Sequence, residues 1–256
     1  MATQNPTLNL DESLFNYFCL AVLDRFRQID GKEIPEIKYV LYCNDNGQTK
    51  ENQIRLPGGG VQFKDIADAV GVLIENQKYQ NIKEHLKWFL LEVNEKEEKF
   101  RENFKHFPEN SLEEKKVKHT AFIEALNYLG SAALETFSES VLREILKQSQ
   151  KQTIVREMKE ETDNEVVVIR QYMTARTGNH CKYGFLVKKI NGSDSYAGSS
   201  EGEIRSSDWM SVEQLLKEIF KGHKNFLQEA FLELEKKYRF DNPILAKQYA
   251  RLVSNY

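Results

Sequence analysis

One stretch of this chain leaves little freedom in how it can fold. From Ile82 to Met158 the large apolar residues recur at steps of three and four, the period of a helix with one buried face. Ile82, Leu86, Phe89, Leu90, Val93, Phe100, Phe104 and Phe107 form the first stripe, and Pro108 ends it. Ser111-Leu112-Glu113-Glu114 has the form of a capping box and opens the next helix, with Val117, Phe122, Leu126 and Leu129 as its stripe. Gly130-Ser131 reads as a break or kink, after which the stripe resumes at Leu134, Phe137, Val141, Ile145, Ile154, Val155 and Met158.

Strand-like runs flank this helical stretch on both sides. Residues 14–24 and 36–43 are aromatic and β-branched, and Asn44-Asp45-Asn46-Gly47 is a strong turn. Val166 to Ile169 and Gly184 to Val187 read as strands again. Asn191 to Gly202, rich in Gly, Ser and Asp, reads as a surface loop, and 241–256 as a tail that docks or frays. The chain therefore divides into 1–65, a helical insertion at 66–139, a return to the core at 140–240, and the tail 241–256.

With 15 Phe and 11 Tyr the sequence can bury a substantial core. A net charge of −3 with the two signs interspersed gives no electrostatic case for nucleic acid or an anionic membrane as partner. Cys19, Cys43 and Cys181 have no metal-ligand spacing and read as free thiols in a reducing compartment. No run of 18 apolar residues and no Sec-type leader are found, so the expected location is the cytoplasm; export that reads no such signal stays open.

Chemistry enters at Arg156-Glu157-Met158-Lys159-Glu160-Glu161-Thr162, which closes the helical run. Glu157, Glu160 and Glu161 stand at i, i+3 and i+4 and so share one helical face. Like charges that close repel, and a divalent cation or basic neighbours would relieve the repulsion. Alone, such a cluster is as consistent with a solvated face as with a metal site. Leu56-Pro57-Gly58-Gly59-Gly60 is the second element. Alone it is an ordinary turn, but three glycines let backbone approach a ligand closely.

Together the two pieces resemble the signature box of the Nudix hydrolase family, G-x5-E-x7-R-E-U-x-E-E-x-G-U with U bulky and apolar. Arg156, Glu157, Met158, Glu160 and Glu161 match its second half in full. Counting from Gly59 places Asp65 where the box has Glu, the register that keeps an acid; counting back from Arg156 reaches Gln148 instead. Here 90 residues separate Asp65 from Arg156, where the box has seven. Asp163 and Asn164 replace the closing Gly and apolar residue; both tolerate the left-handed conformation of a helix stop. Trp209-Met210-Ser211-Val212-Glu213-Gln214-Leu215 and His223 to Leu227 follow in the order of the family's later elements.

The resemblance implies an α/β fold, a Nudix-type α/β/α sandwich with a mixed β-sheet, carrying an inserted all-helical subdomain. It implies hydrolysis of a nucleoside diphosphate linked to another moiety. Glu157, Glu160 and Glu161 would hold Mg2+ or Mn2+, with Gly58, Gly59 and Gly60 forming the adjoining backbone loop. Arg156 would orient Glu160, and Glu203, or less favourably Glu201, would serve as general base. Tyr172, Tyr183 and Trp209 are candidate base platforms, though each also fits the core. Arg55, Lys64 and Arg176 are candidate phosphate-binding cations. The insertion would be a lid, a homodimer face or a docking element for another protein. The competing reading is a catalytically silent Nudix-fold module that binds a ligand or a protein.

Overall fold

The computed structural model describes residues 13–45, 50–106, 112–177, 180–198 and 204–254. Glu201, Glu203, Asn46-Gly47, Phe107, Pro108 and Ser111, all used above, lie outside those residues. The chain forms two compact units: Met1–Phe18, Gly60–Thr153 and Arg176–Lys182 make the first, and Cys19–Gly59, Ile154–Ala175 and Tyr183–Tyr256 the second.

The second unit is built on a sheet. β1 (Tyr17–Ile29) and β2 (Lys32–Asp45) form an antiparallel hairpin, with Ile29 opposite Lys32 and Asp24 opposite Ile37. Asp30 and Gly31 make its two-residue turn, both at positive φ, which suits the right-handed twist of the strands. β2 also pairs with β3 (Lys50–Arg55) and β8 (Ile204–Ser211), both antiparallel. β4 (Gly58–Gly60) pairs with β1, and β5 (Asn164–Thr177), β6 (His180–Gly192) and β7 (Tyr196–Ala197) complete the order β5-β6-β1-β2-β8-β7. A parallel bridge joins Ile54 to Ile219. Cys19 to Leu23 of β1 are at most 2% exposed, as expected for a central strand covered on both faces.

Helices α5 (Val212–Glu218), α6 (Lys221–Tyr238) and α7 (Pro243–Ser254) belong to the same unit. The last is the segment read as a tail. Leu245, Ala246 and Tyr249 bury its apolar face, and Tyr249 lies against Phe231 of α6.

The first unit is helical. α1 (Phe63–Glu75) is followed by a 3-10 segment (Gln77–Ile82), α2 (Lys83–Phe104), α3 (Leu112–Thr136) and the first part of α4 (Glu139–Thr162). Phe63, Phe100 and Phe122 meet in one aromatic cluster with ring centroids 5.2–5.7 Å apart. Phe89 meets Phe137 edge-on at 5.5 Å.

Three expectations are corrected. Gly130-Ser131 does not break α3, because Leu126, Leu129 and Ala133 around it are all at most 1% exposed. Packing there outweighs the ~1 kcal/mol that glycine costs a helix interior. Val117 and Val155 leave their apolar stripes, at 50% and 37% exposure. The strands at 166–169 and 184–187 extend to the full lengths of β5 and β6.

Among the described residues, no helix is long and apolar enough to cross a membrane. Cys19, Cys43 and Cys181 are free thiols.

Candidate active site

The last turns of α4 are fixed in place by their apolar and capping side. Met158 and Thr162 are fully buried, and Thr162 Oγ1 donates to the Met158 carbonyl. Buried Asn164 donates from Nδ2 to the Thr162 carbonyl. Asp163 sits at φ 52°, and its N–H still reaches the Lys159 carbonyl, so it is the left-handed stop that its type suggested.

That stop gives a stability prediction. Asp163 accepts hydrogen bonds from Lys159 Nζ and Ser193 Oγ, which hold its carboxyl below the usual range. Asp163→Gly loses those bonds but relieves the backbone, so urea denaturation should place it within about 1 kcal/mol of wild type. Asp163→Val should cost about 1–2 kcal/mol more than the glycine variant. A valine variant as stable as the glycine one would show the stop to be unstrained.

The opposite face carries the carboxylates. Arg156 Nη1 lies 2.8 Å from Glu157 Oε1 and 3.0 Å from Glu160 Oε2. Glu157 and Arg156 are almost wholly buried, whereas the Glu160 side chain is 57% exposed. Glu161 Oε2 accepts the Gly58 N–H at 2.8 Å. Burial, and next the neighbouring Glu157 charge, push the Glu161 carboxyl well above the usual range; the Gly58 N–H and Arg156 act against that shift.

The glycine loop meets this face at two of its three residues. Gly58 lies at φ 150°, and a Cβ there would stand 2.0 Å from the Cys19 carbonyl oxygen. A Cβ on Gly59 would stand 2.0 Å from Glu157 Oε1. Gly60 differs: among the described residues its Cβ would meet only the Tyr17 carbonyl, at 3.9 Å, an ordinary contact. His223 Nδ1 accepts the Leu56 N–H at 3.2 Å and holds the start of the loop, a contact 167 residues apart in sequence that no local pattern announces.

Asp65 is engaged elsewhere. Its Oδ2 accepts from the Gln62 N–H at 2.9 Å and from Thr153 Oγ1 at 3.0 Å, closing the capping box of α1.

Among the described residues, no three His, Cys, Asp or Glu side chains are gathered for a metal ion; Glu157 and Glu160 turn to Arg156, and Glu161 to Gly58. The donors themselves suit a hard divalent cation. They are all carboxylate oxygens, the one guanidinium pairs with two of them, and burial with the Glu157 charge raises the Glu161 carboxyl.

The other candidates separate. Tyr183 is buried. Tyr172 has its hydroxyl buried, and its ring fills the space where a Gly184 Cβ would lie. The Trp209 ring lies 4.2 Å beneath the Arg25 guanidinium, and its Nε1 is buried. Lys64 and Arg176 are exposed. Arg55 lies 3.9 Å from the centroid of Tyr42 and 4.9 Å from that of Phe220, two partners that the sequence reading had not connected with it.

No family model matches the chain, and no curated protein matches it in sequence. Among solved structures it is similar to a mutT/nudix family protein from Listeria innocua, with TM-score 0.42 and 12% identity, over 87% of this chain and 96% of that one. It is similar to an ADP-ribose pyrophosphatase from Streptococcus suis, with TM-score 0.35 and 14% identity, over 84% and 90% of the two chains. It is also similar to the E. coli ORF135 protein, with TM-score 0.34 and 12% identity, over 88% and 94%.

Proposed function

We propose that the chain is a metal-dependent hydrolase that cleaves the phosphoric anhydride of a nucleoside diphosphate linked to another moiety. The observation that carries this reading is the packing of Glu157 and Glu161 on the Gly58–Gly59 backbone, with one guanidinium pairing Glu157 and Glu160. Glu157, Glu160 and Glu161 would hold Mg2+ or Mn2+, which when bound offsets phosphate charge and lowers the pKa of bound water. Arg156 fixes the rotamers of Glu157 and Glu160 through Nη1. The Gly58 N–H fixes Glu161. Glu203 is the proposed acceptor of the attacking water's proton.

One observation favours a second reading, a silent binding module: Arg156 already bridges Glu157 and Glu160, an arrangement that is complete without a metal. The deciding experiment incubates the purified full chain with Mg2+ and ADP-ribose, NADH, dinucleoside polyphosphates, nucleotide sugars and NTPs. Hydrolysis of a nucleoside-diphosphate compound is expected, with Glu160→Gln slower on the order of a hundredfold. No turnover of any compound, or equal rates in wild type and Glu160→Gln, would leave the binding module as the better reading.

A further inference from the structure

We infer that Arg55, clamped between Tyr42 and Phe220, is the phosphate-binding determinant of the substrate site; the inference rests on the nucleotide reading above and adds a recognition residue to it. Arg55 ends β3 and leads directly through Leu56 and Pro57 into Gly58, whose N–H binds Glu161. The clamp thus stands at the end of the strand that delivers the candidate catalytic loop.

Three elements build it. In the β2–β3 ladder Tyr42 is opposite Gln53 and Val40 is opposite Arg55. That register lets the Arg55 guanidinium reach diagonally over the Tyr42 ring, at 3.9 Å. Phe220 is brought in by its own backbone: its N–H donates to the Ile54 carbonyl at 2.8 Å, beside the Ile54–Ile219 bridge. Its ring then lies 4.9 Å from the same guanidinium. Gln53 Oε1 accepts from both Arg55 Nε and Nη2.

The clamp orients a cation without neutralising it. Among the described residues, no carboxylate lies within ion-pair distance of Arg55, and the only side-chain acceptor it meets is the neutral Gln53 amide oxygen. Most other arginines here have acids: Arg25 and Arg27 pair with Glu36, Arg143 with Glu139, Arg170 with Glu233 and Arg239 with Glu235. A guanidinium has five N–H donors, and Gln53 engages one on Nε and one on Nη2, leaving both on Nη1 and one on Nη2. The two rings hold its plane, so little rotamer freedom is lost when an anion arrives. A purely structural arginine would gain more from an acid than from Gln53. A preorganised fork with an unmatched charge suits the oxygens of a phosphate.

The test is direct binding, independent of turnover. Full-length wild type, Arg55→Met, Arg55→Lys and Arg239→Met are titrated calorimetrically with ADP and with adenosine in EDTA. Arg55→Met, which keeps an unbranched stem between the rings, should weaken ADP binding tenfold or more and leave adenosine unchanged. Arg55→Lys, which keeps the charge but loses the fork, should fall between them and decides the matter if the methionine variant does not fold. Arg239→Met, at the exposed arginine that follows α6 and pairs with Glu235, should bind ADP as wild type does. Equal ADP affinity in wild type and the Arg55 variants overturns the assignment, as does an equal loss for adenosine, or a wild type that binds no ADP. Because hydrolysis of the substrate panel is scored separately, an active enzyme with unchanged ADP binding in Arg55→Met would sink the clamp and leave the glutamate site standing.

Discussion

Gly59→Ala is expected to remove activity by two to three orders of magnitude while the chain still folds. The added Cβ would stand 2.0 Å from Glu157 Oε1, 2.3 Å from its Cδ and 2.8 Å from Oε2. Glu157 is only 9% exposed, and β4 is hydrogen-bonded to β1, so the backbone cannot retreat easily. The carboxylate must move instead, and moving it breaks the 2.8 Å contact with Arg156 Nη1 that also orders Glu160. Overpacking of this kind costs about 1–3 kcal/mol of stability. The larger effect falls on the site, where displacement of a charged group by about 1 Å can cost a hundredfold in rate. Gly60→Ala is the control, because among the described residues its Cβ meets nothing closer than the Tyr17 carbonyl at 3.9 Å. The measurement is the rate on the best substrate of the panel, together with the urea midpoint of each variant. A Gly59→Ala protein with wild-type rate and midpoint would show that Glu157 does not need this backbone contact.

The contrast between Gly59 and Gly60 also shows where sequence reading stops. The spacing of Glu157, Glu160 and Glu161 on one helical face follows from the helix period alone, and so does the ion pair of Arg156 with Glu160 one turn later. Asp163 as a left-handed stop was equally local, since few residues other than glycine sit comfortably at φ 52°. Which glycine is indispensable was not local. Gly58 is required by the Cys19 carbonyl and Gly59 by Glu157, and both neighbours arrive from distant parts of the chain.

The hairpin is an instructive omission. Asp30-Gly31 between alternating strands is among the strongest short-range turn signals, and it fixes the register of β1 on β2. The residues between the apolar runs 14–24 and 36–43, such as Arg27, Gln28, Lys32 and Glu33, are polar, and this hides the hairpin from hydrophobic patterning. They are strand residues all the same, since the end of a hairpin can face water. Asp65 went the other way. A motif count aligns it with the Glu of the box, and the structure makes it the capping partner of Gln62 at the start of α1. Arg55 illustrates the limit most fully: its charge was visible, but its clamp required Tyr42 and Phe220 from two other elements.

Glu161→Gln should make the metal-free protein more stable and the enzyme inactive. Burial and the Glu157 charge raise the Glu161 carboxyl above its unfolded value, which for glutamate is about 4.3. The folded state therefore binds this proton more tightly than the unfolded chain does. Its contribution to stability is complete below about pH 4 and is lost as pH rises through the folded value. Above its unfolded value the wild type must either ionise a buried carboxylate beside a second one or take up a proton on folding, and both oppose the folded state. Glutamine has no charge to lose, and its amide oxygen can still accept the Gly58 N–H. The melting temperature of Glu161→Gln at pH 7.5 in EDTA should therefore exceed that of wild type, by roughly 2–4 °C for each kcal/mol relieved. As pH rises from the unfolded value through the folded one, the wild type should lose stability more steeply than the variant. Added Mg2+ should reverse the order, because a cation that binds only the folded state stabilises by mass action and the variant lacks one of its ligands. Turnover should fall on the order of a thousandfold. A Glu161→Gln protein that melts below wild type in EDTA and gains as much from Mg2+ would mean that this carboxylate is held as a structural acceptor for Gly58, with no part in binding a cation.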